Sequence, residues 1–344
     1  MFMTLPSWLI HGALLCGVLT TTAVLAEPEL DRQQAAQLLQ AQQARAVQPW
    51  RVPNAVDIER QPNAVLIRQG MALLQNTTRL AGPLVADPGK RFSRNNLNCI
   101  NCHEAGPSGL PGSKPYGLAL VNAIHDYPRL DIKSMRVITL EQRVAGMFGK
   151  GEASMGADTP EMKAILAYLS WLGSEAQPGM SMQGTGLARI TLPERAADPA
   201  RGQALFGQYC MQCHGAQGLG LKAPDFATGG GYVFPPIAGD DTYDDGGHMY
   251  MVPLLTQFIH ANMPLGSTAD TPLLSVEQAY DIAAYVNSEL PRRHAPQRGD
   301  AYPDPRGARR VLPFLNTFPM TRQVISVRVS ARSRRFPNSP LTQH

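Results

Sequence analysis

Two five-residue stretches decide the fold: Cys99-Ile100-Asn101-Cys102-His103 and, farther along the chain, Cys210-Met211-Gln212-Cys213-His214. Both read Cys-x-x-Cys-His. In an exported protein this spacing is that of covalent haem attachment. The two thiols, one helical turn apart, add to the two vinyl groups of a haem, and the adjacent His reaches the iron from the proximal side. A disulfide redox pair would not need His at that position twice, and a zinc site would want all four thiols converging on one metal. The motifs therefore predict two covalently attached haem c groups. Cys99, Cys102, Cys210 and Cys213 attach them, and His103 and His214 ligate the irons.

The rest of the composition agrees with export and with a loop-rich body. The first 26 residues read as a signal peptide: Leu9–Val24 is mostly apolar, and Ala23-Val24-Leu25-Ala26 resembles a cleavage site before Glu27. No Lys or Arg precedes the apolar stretch, so an uncleaved, membrane-associated anchor is the alternative to a freely periplasmic protein. Cys16 leaves with this segment. The other four cysteines are consumed by thioethers, which leaves no free thiol and no disulfide. The chain has 31 Gly and 29 Pro among 344 residues, so loops are plentiful, and there is no fixed repeat of the kind that makes a solenoid.

Charge is split along the chain. Glu27 to Pro291 carries 20 basic and 25 acidic residues, a net of −5, whereas Arg292 to His344 carries 11 Arg against Asp300 and Asp304, a net of +9. The positive total belongs to a Pro/Arg-rich tail with little apolar periodicity, suited to an acidic partner, to a membrane surface or to no partner at all. No nucleic-acid partner is expected.

Between signal and tail the pattern repeats. Glu29–Val47 and Asn63–Leu74 read as helices, and a Gly/Pro/Asn-rich stretch carries the first motif. Met162, Ile165, Leu166, Leu169 and Leu172 then follow helical spacing over Pro160–Gly173. After a linker, Asp198–Pro199 opens a helix that runs to Cys210. Ser275–Leu290 closes the pattern, with Ser275 and Gln278 as a capping box. Strand signals are weak. The expected fold is all-α, with two domains in tandem that each enclose a covalently bound haem. The boundaries are a signal peptide at 1–26, an N-terminal helical extension at 27–62 and a first cytochrome domain at 63–176. A linker at 177–194, a second cytochrome domain at 195–295 and the basic tail at 296–344 complete the chain.

With every mature thiol consumed, the sixth iron position is taken by Met, His, Lys, an N-terminal amine or water, or is left open. For the second haem the best placed is Met263, in Phe258-Ile259-His260-Ala261-Asn262-Met263-Pro264-Leu265-Gly266, 49 residues after His214. The following Pro biases it to an extended conformation. Met249, Met251, His248 and His260 compete. For the first haem Met147 falls 44 residues after His103, with Met155, Met135 and His125 as alternatives.

Beyond the two motifs, several stretches resemble the dihaem thiosulfate dehydrogenases. They are Asn95–His103, Tyr127-Pro128, Thr139-Leu140-Glu141-Gln142-Arg143-Val144, Pro160–Ala164, Phe234-Pro235-Pro236, Phe258–Gly266 and Tyr280–Tyr285. The resemblance covers about Val65–Pro291. It implies two class I cytochrome c folds with haems in electron-transfer distance. It also implies oxidation of two thiosulfate ions to tetrathionate at the first haem, with electrons leaving through the second. The family's Arg-Ile-x-x-Cys pattern, whose Cys thiolate is axial to the first haem, reads here Arg143-Val144-Ala145-Gly146-Met147. Arg143 matches the substrate-binding Arg, Lys133 stands where a second Arg is expected, and the second-haem Met matches Met263.

A thioether cannot form and release an S–S bond as a thiolate can. The expected function is accordingly a periplasmic dihaem electron carrier between a redox protein donor and acceptor. The alternative is an enzyme acting on a small sulfur oxyanion held by Arg143 and Lys133.

Overall fold

The computed structural model describes residues 32–294 apart from Ile132, Lys133, Met135 and Lys150. The signal segment, the basic tail, Lys133 and Met135 lie outside the described residues. Helices dominate: α1 (Arg32–Gln43), α2 (Ala64–Gln75), α3 (Thr77–Ala81), α4 (Ala123–Asp126), α5 (Leu140–Phe148), α6 (Pro160–Leu172), α7 (Pro199–Tyr209), α8 (Met211–His214), α9 (Val252–Asn262) and α10 (Val276–Ser288). The strands are two or three residues long: β1 (Val47–Gln48), β2 (Arg129–Asp131), β3 (Arg136–Ile138), β4 (Ser181–Met182), β5 (Leu221–Lys222) and β6 (Tyr232–Phe234). They form three two-stranded ladders: β1–β4 parallel, and β2–β3 and β5–β6 antiparallel. Among the described residues no helix is long and apolar enough to cross a membrane.

The helices with clear sequence signals begin and end where their caps dictate. Thr159 accepts from the Met162 amide ahead of Pro160, and Gly173 closes α6. Asp198 accepts from the amides of Ala200 and Arg201 to start α7. Ser275 and Gln278 form the reciprocal capping box of α10. Two further helices stand beyond those the sequence predicts. Helix α5 is started by a second capping box, Thr139 with Gln142. Helix α9 takes Pro253 in its first turn, where the missing amide costs no hydrogen bond.

Apolar burial gathers in two clusters. The first draws on residues from Ile58 to Met182, including Ile67, Leu74, Ile165, Tyr168 and Leu172. The second draws on residues from Phe206 to Leu290, including Ile259, Ile282, Tyr285 and Val286. The linker stretch is in part docked. Met182 is 2% exposed and belongs to the first cluster, with Ser181 paired to Val47 and Gln48 to Met182 itself.

Both clusters are built around a helix crossing closed by glycine. A Cβ on Gly70 of α2 would stand 2.0 Å from the Ala164 carbonyl oxygen and 2.7 Å from Tyr168 Cβ of α6. A Cβ on Gly202 of α7 would stand 2.0 Å from the Asp281 carbonyl oxygen and 2.9 Å from Tyr285 Cβ of α10. In each pair the glycine meets a backbone carbonyl and, four residues on, an aromatic Cβ. The carboxylate of Asp281 at the second crossing is fully buried. It is answered by two hydrogen bonds from Arg195 (2.7 and 2.8 Å), by the Asp198 amide (2.9 Å) and by an ion pair to Arg201 (3.3 Å). A buried carboxylate persists only with such partners.

Glycine usually weakens a helix interior by roughly 1 kcal/mol relative to alanine. At the crossing the sign reverses, because the added methyl would force the helices apart. Gly202→Ala should cost about 2 kcal/mol in chemical denaturation. Gly207→Ala, one turn on in the same helix with nothing within 4 Å of the added carbon, should stabilise by about 1 kcal/mol. A Gly202→Ala variant as stable as Gly207→Ala would refute the crossing.

Candidate haem-binding site

The two Cys-x-x-Cys-His stretches fold into the same turn. Cys102 and His103 donate their amides to the Cys99 carbonyl (3.2 and 2.9 Å), and Cys213 and His214 donate theirs to the Cys210 carbonyl (3.2 and 2.9 Å). The chain then curls back on itself in both places: the Gly112 amide donates to His103 O (3.0 Å) and the Gly220 amide to His214 O (2.9 Å). All four thiols are free. Among the described residues no group of three or more His, Cys, Asp and Glu converges to hold a metal ion, so the four thiols do not meet on one zinc.

The imidazoles are oriented alike. His103 donates from Nδ1 to the Leu118 carbonyl at 2.6 Å, and His214 from Nδ1 to the Pro235 carbonyl at 2.7 Å. A carbonyl can only accept, so Nδ1 carries the proton in both rings. Burial lowers the pKa of both histidines, which keeps the rings neutral and leaves Nε2 as the lone-pair nitrogen. This is the tautomer an iron ligand needs, fixed by a partner outside the coordination sphere. Two thiols one turn apart with a neutral imidazole beside them fit a covalently attached haem. His103 and His214 would ligate the iron through Nε2.

The surroundings of the first motif contain residues that the sequence reading did not single out. Thr77, 3% exposed, donates its hydroxyl to Leu73 O (2.7 Å) and accepts the Cys99 amide (3.0 Å). Asn98 accepts from both the amide and the hydroxyl of Thr78 (3.0 and 3.1 Å). These contacts tie the start of the motif to the short helix α3. Tyr116 and Leu118, on the turn that supplies the acceptor for His103, have φ of 58° and 54°. Left-handed backbone at a non-glycine residue costs roughly 1–2 kcal/mol, so this turn is held against strain. The Tyr116 amide donates to Gly184 O at 2.6 Å.

The candidate sixth ligands differ in their surroundings. Met263 ends α9 in an extended conformation (φ −126°, ψ 148°) and packs against the second apolar cluster. Its rival His260 donates from Nδ1 to Leu274 O at 2.9 Å. Met249 also packs on that cluster, and its carbonyl accepts from Asn287 Nδ2 at 3.0 Å. In the first half, Met147 lies on α5 and is 59% exposed, whereas Met155 is 7% exposed and belongs to the first cluster. His125 donates from Nε2 to Gly173 O at 3.2 Å.

Arg143 points into a local network rather than standing alone. Its guanidinium donates to Tyr127 Oη (3.1 Å) and to Asp131 Oδ1 (3.0 Å). Asp131 also accepts from the amide and hydroxyl of Ser134 (3.0 and 2.7 Å). Burial alone would raise the Asp131 pKa. The Ser134 hydrogen bonds and the Arg143 charge outweigh it and hold the carboxyl below its ordinary 3.8.

Residues 197–286 match the family model described as cytochrome c oxidase, cbb3-type, subunit III. A thiosulfate dehydrogenase of Stutzerimonas stutzeri strain A1501 is 32% identical over 238 residues, 69% of this chain and 71% of the relative. One from Allochromatium vinosum is 34% identical over 197 residues, 57% of this chain and 70% of the relative. The solved thiosulfate dehydrogenase of Marichromatium purpuratum in its as-isolated form superposes with a TM-score of 0.59 at 30% identity. That match covers 69% of this chain and 48% of the solved one. A helical fold with a cytochrome c domain and thiols and imidazoles set for thioether-bound haem c defines a c-type cytochrome. Within that class the chain belongs to the thiosulfate dehydrogenase family.

The Asp131 network has a pH signature. A carboxyl whose pKa is lowered on folding contributes stability that is complete above the ordinary carboxylate range and is lost as pH falls through the folded value. Stability should therefore drop below about pH 4. In Asp131→Asn this acid-dependent part should shrink, at the expense of lower stability at pH 7. An unchanged acid limb in denaturation curves between pH 2 and pH 5 would contradict the network.

Proposed function

We propose that the chain is a periplasmic dihaem c-type cytochrome that relays electrons between a donor and an acceptor redox protein. Its two haems sit in class I cytochrome c-like domains spanning 63–176 and 195–295. The observation that carries this reading is the duplication of the site. Two identical motif turns each have Nδ1 of the histidine donating to the carbonyl of a later loop, and each lies beside a glycine-closed helix crossing. A haem supplies one-electron exchange at its iron; the polypeptide attaches, orients and shields it. The segment 1–26 is the export signal on this reading, and the net charge of the tail suits it to an acidic partner or a membrane surface.

For the second haem Met263 would supply the sixth ligand, supported by its extended backbone at the end of α9 and by its packing beside the second cluster. For the first haem Met147 would do so. That side chain is not committed to packing, while Met155 is spent in the core. Both irons would then be held by a neutral thioether, which favours a higher potential than thiolate would give.

Family membership favours one second reading, oxidation of a small sulfur oxyanion. Two thiosulfate ions yield one tetrathionate and two electrons, and two haems have room for two electrons. Arg143 and Lys133 would hold the anion. Against this role, Arg143 is already neutralised by Asp131, and Met147 offers no thiolate for S–S exchange.

Purified oxidised protein mixed with thiosulfate separates the two. The carrier reading expects no growth of the reduced α-band and no tetrathionate, alongside rapid reduction by ascorbate; reduction by thiosulfate within the mixing time would overturn it. For ligation, the weak absorption that thioether-ligated ferric haem shows at the red edge should lose one contribution in Met263→Ala and the other in Met147→Ala. Met147→Cys should lower the potential of the first haem. A spectrum indifferent to residue 147 would remove that side chain from the iron.

A further inference from the structure

The two halves of the molecule meet at several polar contacts. Arg79 pairs with Asp225, Arg94 with Asp244 at 3.2 Å, and Asn96 donates from Nδ2 to Asp241 Oδ2 at 3.0 Å. One further contact differs from these in where it lies. Asn262, 1% exposed, is the last residue of α9 and immediately precedes Met263. Its Nδ2 donates to Phe258 O (3.1 Å), one turn back in its own helix, and to Tyr116 O (3.0 Å) in the other half. Both acceptors are carbonyls, so the amide nitrogen must face them and the amide orientation is fixed. The Asn262 Oδ1 is buried without a hydrogen-bond partner among the described residues. It faces Gly117, where a Cβ would stand 3.2 Å away.

Tyr116 O lies two residues from Leu118 O, the acceptor of His103 Nδ1. A single three-residue turn, left-handed at both ends, is therefore gripped on one side by the proximal histidine of the first haem. On the other side it is gripped by Asn262, the residue that immediately precedes Met263. An asparagine buried with its carbonyl oxygen unpartnered is a costly way to end a helix, and the cost is understandable if its donors have a task.

We infer that Asn262 is a positioning residue that clamps Met263 onto the Tyr116–Leu118 turn, coupling the sixth ligand of the second haem to the proximal histidine of the first. The inference rests on the dihaem reading, with Met263 and His103 as iron ligands. Coupling of this kind is reciprocal: whatever loosens the turn loosens Met263, and whatever releases Asn262 loosens the hydrogen bond of His103.

The test uses the intact holoprotein and two readouts other than turnover. The first is the apparent affinity of imidazole for the ferric second haem, which reports how firmly Met263 holds the iron. The second is hydrogen exchange of the histidine Nδ1–H protons in the reduced protein, followed by NMR, with His214 as internal reference. Asn262→Leu should raise imidazole affinity about tenfold, the equivalent of one lost buried hydrogen bond. It should also accelerate exchange at His103 while leaving His214 as in the wild type. Gly117→Ala approaches from the opposite half. Its methyl crowds Asn262 Oδ1 and the Lys114 side chain, at 3.1 Å from Lys114 Cβ, and it too should raise imidazole affinity at the second haem.

Equal acceleration at both histidines would mean general loosening and would overturn the inference. So would wild-type imidazole affinity in both variants. Met263→Ala is the control for the underlying reading. If it leaves imidazole binding and the red-edge absorption unchanged, Met263 is not the ligand, and the dihaem ligation scheme fails rather than the clamp. Should Asn262→Leu not accumulate as holoprotein, Gly117→Ala alone decides by the same two readouts.

Discussion

A backbone carbonyl aimed at Nδ1 of a histidine is the contact on which the rest of this molecule depends. Covalent attachment through two thiols would bring a haem to the chain, but it would not decide which nitrogen of the imidazole is left to meet the iron. The decision is made fifteen residues on by Leu118 O and twenty-one residues on by Pro235 O. Each carbonyl fixes the tautomer and the ring plane together. Both must be delivered by loops, and loops hold position only when something rigid stands behind them. In the first half that support is visible. The turn carrying Leu118 is strained, and it is pinned by Gly184 O, by Asn262 and by the histidine itself.

The helices are the second requirement. Apart from its motif turn, each half relies on one crossing in which glycine lets two backbones approach within contact distance. The buried Asp281 with its two arginines belongs to the second crossing only, whereas the first crossing is followed by Tyr168, whose hydroxyl donates to Pro111 O at 2.8 Å in the loop after the motif. The two halves thus share a plan while securing it with different chemistry.

Much of this was legible in the sequence, and the reasons are local. Cys-x-x-Cys-His carries its own geometry, and α6, α7 and α10 announce themselves by caps and apolar spacing within a dozen residues. What was not legible depended on contacts distant in the chain. Thr77 looks like an ordinary polar residue until it accepts the Cys99 amide from twenty-two positions away. Gly70 and Gly202 look like helix-weakening residues until the partner helix is in place. Helix α9 carries Pro253 in its first turn, where a proline in the sequence ordinarily marks a loop. The stretch 177–194 has the composition of a linker, while its docking rests on a two-residue pairing with Val47 and Gln48 that no local pattern reveals. For Arg143, the family pattern points to an anion, whereas the ionic partner in the structure is Asp131 on β2, twelve residues earlier.

The claim beneath all of this is stoichiometric. The mass of the purified, unfolded protein, recorded after extraction with acidified organic solvent to strip any haem not held by thioether bonds, tests it most directly. The account predicts a polypeptide heavier by two haems, falling to one when either Cys102 or Cys213 is replaced together with its partner thiol. A native protein carrying a single haem, or none, would contradict it.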